Sequence, residues 1–538
     1  MGCLQPSRPS PLKSARSKFQ VHLPPRTPAH VAQADPLLFR RQFLLGPIDS
    51  IGLQGWRRQR VTEDHHLSVH PDLELTHVSD GEKSLTLLGF ILDPENPSQD
   101  NTGILQELLH EDWKNGNPAM LTARFGGRWA MVVHDRTRTI IFHDATGMRQ
   151  VYYGTTIVEG QVHVYCGSQP GLIAETLKLS LDAEAVDYIR SKGNNDLEVY
   201  WIPGHSSQYS QIRALLPNHL LDLKTGTTLR YWPTEKLEPV VYQHAVDEGL
   251  RQLRGLMTSA RRRYALAIAM TAGWDSRLML ALTAEFAAEV HFFTLVYPGS
   301  GKDSRDVRVP NRLLKRLKLK HHLIGYPKRI DDSFRNILKR NSSSIHVAYC
   351  ADAQAMHDLY PSDRVCVTGD VAEIVKNYYG NSNPGTDNIS ACDLARLSKI
   401  GDHPFGIAAL QSWISSVVNS HGIGILNLFC WEQMAGRWQA HIRSEYDIVQ
   451  ESFAPLNCRN LLVVLLGANE SHRSAPGFEL FRQIIQNSWS EVLAVPINPP
   501  ERASLKQSII TWLGAVGVYQ VIPQAAKDFM RRVVRKVA

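Results

Sequence analysis

Two stretches of this chain end an apolar run on hydroxyls, glycine and acid. The first, "AIAMTAGWDSRLMLAL" (267–282), breaks at Thr271-Ala272-Gly273 and opens a helix at Asp275-Ser276-Arg277. Free backbone amides and the positive end of a helix dipole attract phosphate at such a turn. Gly273 permits close backbone approach, and the Thr271 and Ser276 hydroxyls add donors. Asp275 would repel a bare phosphate, which points to a Mg²⁺ ligand. The same residues also read as a plain capped helix, with Asp275 or Ser276 as the N-cap. The second stretch, "RVCVTGDVAEIVKNYYG" (364–380), ends its strand on Thr368, Gly369, Asp370 and Glu373. On a neighbouring strand it would bring Glu373 and Asp275 to one metal, with Asp370 beside them. Two carboxylates with phosphate oxygens and water suit a hard cation. The chain contains no GxxxxGK[ST], GxSxG or HExxH.

These turns need strands and helices to hold them. From about Val246 onward, helical segments alternate with short apolar strands, "ALAIAM", "VHFFTLVY", "HHLIGY" and "RVCVTG". That alternation predicts a parallel α/β sheet. Residues 43–180 read instead as short strands broken by turns, among them "LTLLGFIL", "WAMVVHD", "TIIFHD" and "QVHVYCG". A connecting section, 181–245, holds the hairpin "DLKTGTTLRYW" with Thr225-Gly226 at its turn. The unit expected from 246 to 538 turns mostly helical in its last hundred residues and ends in the basic segment "KDFMRRVVRKVA". Residues 1–42, rich in Pro, Arg, Ser and Lys, read as a disordered basic arm.

At 538 residues the chain exceeds one core, and 43% hydrophobic with 21% charged residues is ordinary for a globular protein. A net charge of +7 on this length gives no ground for a nucleic-acid partner. Seven cysteines without a CxxC pair fit buried free thiols in a reducing compartment. No run of about twenty apolar residues exists, and "MGCLQPS" carries Pro6 where a myristoylation start wants Ser or Thr. The expectation is a cytoplasmic protein with no membrane partner. His65, His66 and His70 cluster in "EDHHLSVH", which reads as a solvated loop more readily than as a metal site.

The ordered set of motifs resembles the class II amidotransferase-type asparagine synthetases and their relatives, the β-lactam synthetases and lasso-peptide cyclases. Their pyrophosphate loop, S-G-G-x-D-S, is similar to Thr271-Ala272-Gly273-Trp274-Asp275-Ser276. Their S-G-E-G-x-D-E resembles Thr368-Gly369-Asp370-Val371-Ala372-Glu373, one residue shorter, and their E-x-R-x-P-F-L-D resembles "ESFAPLNC", with Glu451 and Pro455 matching. "RFGGRWAMVVHDRTRTIIFHDATGMRQVYYG" and "LLPNHLLDLKTGTTLRYWP" extend the likeness over roughly residues 45–500.

The resemblance implies an α+β, NTN-hydrolase-like N-terminal sheet domain. An α/β parallel-sheet synthetase domain of the adenine nucleotide α-hydrolase kind, with a helical C-terminal part, would follow it. It implies ATP and Mg²⁺, with pyrophosphate in the Thr271–Ser276 turn, Gly369 close by, Asp275 and Glu373 on the metal, and Asp370 near the substrate. Arg277, where the family has a small residue, would add a cation beside the phosphates. A small-molecule or peptide carboxylate would become an acyl-adenylate, and an amine or ammonia would displace AMP; a homodimer is left open.

Two departures matter. Residue 2 is Gly2, with Cys3 behind it, where the family needs a cysteine directly after the initiator. Leu88 stands where the family's asparagine helps form an oxyanion hole. Glutamine hydrolysis is therefore not expected. The family's catalytic lysine has no counterpart near "VLAVPINPPER", the nearest cations being Arg502 and Lys506. A catalytically inactive scaffold, or a peptide or secondary-metabolite macrolactam cyclase, remains an alternative to asparagine-type ligation.

Overall fold

The computed structural model describes residues 35–47, 53–113, 117–192, 201–297, 301, 303–342, 347–379 and 389–500. Strand Gly126–His134 illustrates how the first half folds. Ala130 and Val132 point to one side, while Trp129, Met131 and Val133 point to the other. A strand apolar on both faces must be covered on both. It lies in a six-stranded sheet ordered Thr228–Arg230, His219–Asp222, Thr139–His143, Gly126–His134, Ser84–Leu92 and Leu75–Ser79, antiparallel throughout. A second antiparallel sheet runs Ile212–Ala214, Tyr152–Val158, Gln161–Gly167, Phe43–Gly46, His66–Val69 and Arg57–Arg60. Phe43, Leu45, Leu67, Val69 and Val164 from one meet Leu88, Ala130, Val132, Ile141 and Leu221 from the other. Helix Pro170–Leu177 covers one outer face, and helices Asn101–His110 and Tyr242–Arg263 cover the opposite one. The result is a four-layered α/β/β/α body.

Two details differ from the sequence reading. The strands at 212–214, 219–222 and 228–230, expected in a connecting section, complete these two sheets. Residues 35–42, expected in the disordered arm, are ordered. Phe39 is fully buried, and its amide donates to Asn341 Oδ1 at 2.6 Å. Gln42 Nε2 donates to the Asn341 carbonyl at 2.7 Å, so apolar burial and paired polar groups hold the segment. Gly2 and Cys3 lie outside the described residues.

The second half is built on a five-stranded parallel sheet ordered His322–Gly325, His291–Val296, Ala265–Ala269, Arg364–Val367 and Ser452–Phe453. The expected fold class is thus the observed one: an antiparallel α+β domain, then a parallel α/β sheet with a helical C-terminal part. The chain starts on the central Ala265–Ala269 strand, steps outward twice, then returns to its other side. Strand order therefore reverses between Ala265–Ala269 and Arg364–Val367. Carboxyl ends at such a reversal open a crevice, the usual place for a ligand in open α/β sheets. Both turns singled out from the sequence sit there.

A buried charge cluster joins the halves. Arg128 holds Asp447 through both terminal nitrogens, at 2.6 and 2.9 Å, and Glu451 at 2.8 Å. Arg149 holds the other Glu451 oxygen at 2.6 Å. Burial alone would raise the Glu451 carboxyl, but Arg149 and Arg128 overcome it and hold the group at about 2. Glu451, matched above to a synthetase motif, is thus spent on the domain junction. The six cysteines among the described residues are unpaired, five of them buried. No helix among the described residues is long and apolar enough to cross a membrane.

Candidate functional site

Strand Ala265–Ala269 ends in the crevice, and helix Trp274–Ala281 starts at Gly273, which no side chain caps. Neither Asp275 nor Ser276 is the N-cap. The Ser276 hydroxyl turns back instead, accepting from the Thr271 amide at 3.2 Å and lying 3.1 Å from the Thr271 hydroxyl. Thr271 Oγ1 accepts from the Gly273 amide at 3.2 Å. The Ala272 amide donates to Asp306 Oδ1 at 2.9 Å, so a carboxylate of the chain itself rests on the turn. Sequence reading missed Asp306, which opens the helix Arg305–Arg316.

The second turn touches the first. A Cβ on Gly369 would lie 2.5 Å from the Asp275 Cβ, so only glycine lets the two backbones approach this closely. Two residues on, Val371 adopts φ 75°, a left-handed conformation that β-branched residues avoid. Its amide donates to Gln439 Oε1 at 2.9 Å, which helps hold the strained turn. Glu373 then falls in the first turn of the short helix Ala372–Val375.

Asp275 and Glu373 do converge, as the sequence suggested, but around a lysine. Lys376 Nζ donates to both Asp275 oxygens, at 2.7 and 2.9 Å, and stands 3.6 Å from Glu373 Oε1. The remaining Glu373 oxygen accepts from Gln439 Nε2 at 2.8 Å. Every oxygen of the two acids therefore faces a side-chain donor. Burial raises the Asp275 carboxyl to about 6; Lys376 opposes the shift, while Glu373 and Asp370 add to it. Burial lowers the Lys376 ammonium, but Glu373 and Asp275 outweigh it and hold the group above its ordinary value.

A Mg²⁺ ion shared by these acids does not fit this arrangement. Mg²⁺ demands about six oxygens near 2.0–2.1 Å, whereas the space between the carboxylates holds an ammonium and a Gln439 N–H points into the same shell. Asp275 and Glu373, expected on a metal, are paired here with Lys376 and Gln439 instead. No group of three or more His, Cys, Asp or Glu side chains able to hold a metal occurs among the described residues.

Asp370 sits beside the triad. It accepts from the Thr368 hydroxyl at 2.8 Å and pairs with Arg443 at 3.0 Å. Gln439 closes a π-helix, Cys430–Gln439, and Arg443 follows in helix Ala440–Tyr446. Wide π turns often mark functional positions because they re-aim side chains. Nothing in the local sequence pattern announces this one. Lys376 had a signal, three residues after Glu373 on the same turn, but such spacing is common on solvated helices.

Arg277 is not in the crevice. It is fully buried, and its guanidinium donates to the carbonyls of Val492 and Val495, each at 2.7 Å. One residue beyond Ser276 on an α-helix is about 100° round the axis, which turns the side chain away from the turn. Burial brings it down to about 10. Trp274 also turns to packing, edge-on to Phe478 at 5.8 Å with Arg482 over its ring. Leu88, expected at the amidotransferase oxyanion position, is fully buried between the two antiparallel sheets. Arg502 and Lys506 lie outside the described residues.

No family model and no curated protein matches the chain. Among solved structures it is similar to glutamine phosphoribosylpyrophosphate amidotransferase from B. subtilis complexed with ADP and GMP, at 10% identity, TM-score 0.22, 68% of this chain and 75% of that one. It is also similar to the NH3-dependent NAD synthetase of Campylobacter jejuni, at 13% identity, TM-score 0.19, 35% of this chain and 96% of that one. A third similarity is to NMN synthetase from Francisella tularensis, at 16% identity, TM-score 0.18, 38% of this chain and 93% of that one. At TM-scores this low, no activity or ligand is carried from these proteins to this chain.

Proposed function

We infer that this chain is an ATP-dependent ligase of the asparagine-synthetase type, forming an amide through an acyl-adenylate with release of AMP and pyrophosphate. The observation that carries the reading is the contact of two turns at the sheet's strand-order reversal. Gly369 lies against Asp275, and an uncapped helix end opens beside them. The uncapped amides and helix dipole supply positive potential for pyrophosphate, with Thr271 and Ser276 hydroxyls at its edge. Lys376 adds an ammonium held by Asp275, and Asp370, paired with Arg443, stands on the second turn beside it. The nitrogen donor is ammonia or an amine, in keeping with Leu88 at the position of an amide donor.

A second reading, a binding or scaffold protein without turnover, draws on a different observation. Asp306 already accepts from the Ala272 amide, so the turn is partly satisfied by the chain itself. Exchange of labelled pyrophosphate into ATP, with candidate small acids and peptide carboxylates, separates the two. Exchange that depends on a carboxylate supports the ligase. Its absence with every acid, alongside retained ADP binding, favours the scaffold.

A further inference from the structure

The two acids expected on a metal hold a lysine instead. We propose that the Lys376 ammonium is the resident cation of the crevice, filling the position between Asp275 and Glu373 that a divalent ion would otherwise take. Three observations converge on this. Lys376 meets both Asp275 oxygens within 2.9 Å, and its side chain is only 13% exposed. Its backbone is fixed as well, since the Lys376 amide donates to the Ala372 carbonyl at 2.9 Å and closes the short helix that presents Glu373. Gln439 bridges the Val371 amide and the outer Glu373 oxygen, so the acid cannot swing outward without breaking its hydrogen bond to Gln439.

The chemistry of the ammonium differs from that of a metal. Lysine has three rotatable donors and no fixed coordination number. Two are engaged by Asp275, which leaves the third to move between Glu373 and an incoming anion. An anion entering beside the uncapped helix end thus meets a tethered positive charge, supplied without divalent ion uptake by these acids. Its role in neutralising pyrophosphate rests on the ligase reading; its place between the acids does not.

Mn²⁺ titration followed by electron paramagnetic resonance, without nucleotide, tests the placement. Wild-type protein is expected to leave the free Mn²⁺ signal intact. Lys376→Met should gain roughly tenfold or more in Mn²⁺ affinity at one site, because two carboxylates lose their internal counter-ion. Adding Asp275→Asn should remove that site; Lys376→Gln serves where Lys376→Met fails to fold. Stoichiometric Mn²⁺ binding by the wild type that disappears in Asp275→Asn overturns the proposal, as does a lysine variant that folds and gains nothing.

Inorganic pyrophosphate, titrated calorimetrically in EDTA and in Mg²⁺, tests the consequence. Binding that persists in EDTA and weakens roughly tenfold in Lys376→Met supports it. Binding that appears only with Mg²⁺ and ignores the variant overturns it. No pyrophosphate binding in either buffer ends the ligase reading alone, and the Mn²⁺ titration still decides what sits between the acids.

Discussion

Two of the charge clusters among the described residues are built on opposite plans. At the domain junction, Arg128 and Arg149 face Asp447 and Glu451, and Arg41 adds a third cation by donating to the Asp447 carbonyl. In the crevice, Asp275 and Glu373 share the single Lys376, and the Asp275 side chain keeps 30% of its exposure. The first cluster gives each acid its own arginine with Arg41 beside them, which suits a fixed joint. The second carries a charge imbalance that only a neighbour or ligand can relieve, and imbalance of that kind concentrates where chemistry happens.

The contrast can be broken at either end. Arg128→Met should cost the most, about 3–5 kcal/mol, because Asp447 loses the arginine that bonds both its oxygens in a buried site; a chemical denaturation midpoint measures it. A variant as stable as the wild type would mean that the junction is not held by charge. Asp275→Ala should cost about 1–3 kcal/mol, because Lys376 loses both of its hydrogen bonds, and should lower pyrophosphate exchange by the folded protein roughly 10²–10³-fold. Retained exchange removes Asp275 from the site. Gly369→Ala should cost about 1–3 kcal/mol, since its methyl would force the Asp275 turn away, and exchange should fall with it.

Acidity gives the gentlest test. Glu451 is held down from 4.5 to about 2, so its stabilisation is complete above pH 4.5 and is lost as pH falls through 2. Asp275 goes the other way, raised from 3.8 to about 6. Between those values the folded state binds the extra proton, so its contribution to stability falls as pH rises and levels off above 6. Comparing Asp275→Asn with wild type between pH 4 and 7 should isolate about 2–3 kcal/mol of pH-dependent stability. Identical profiles would show that the carboxyl is not perturbed.

Sequence patterning made the frame legible. Short apolar strands broken by turns predicted a sheet-rich first half, and two apolar runs ending on hydroxyl, glycine and acid predicted neighbouring turns; Gly369 lies against Asp275 accordingly. The missing parts share a cause. Arg128 meets Asp447 and Glu451 more than 300 residues away, and no local pattern encodes such a meeting. Gln439 reaches Glu373 by way of a π-helix that composition does not announce. Arg277 was misplaced because proximity in sequence to the turn does not fix direction on a helix. Lys376 stood within the motif and was passed over, since the acids beside it suggested a metal first.

The short strand Ser452–Phe453 connects the two clusters mechanically. Glu451, clamped by two arginines, leads directly into it. The Glu451 carbonyl accepts from the Cys366 amide at 2.9 Å, and the Phe453 carbonyl accepts from the Thr368 amide at 2.8 Å. Those bonds brace the very strand whose end carries Thr368, Gly369 and Asp370. Whatever the four-layered domain does on its own account, it serves the crevice as a strut: a shift at the arginines has a rigid path, two residues long, to the acidic turn.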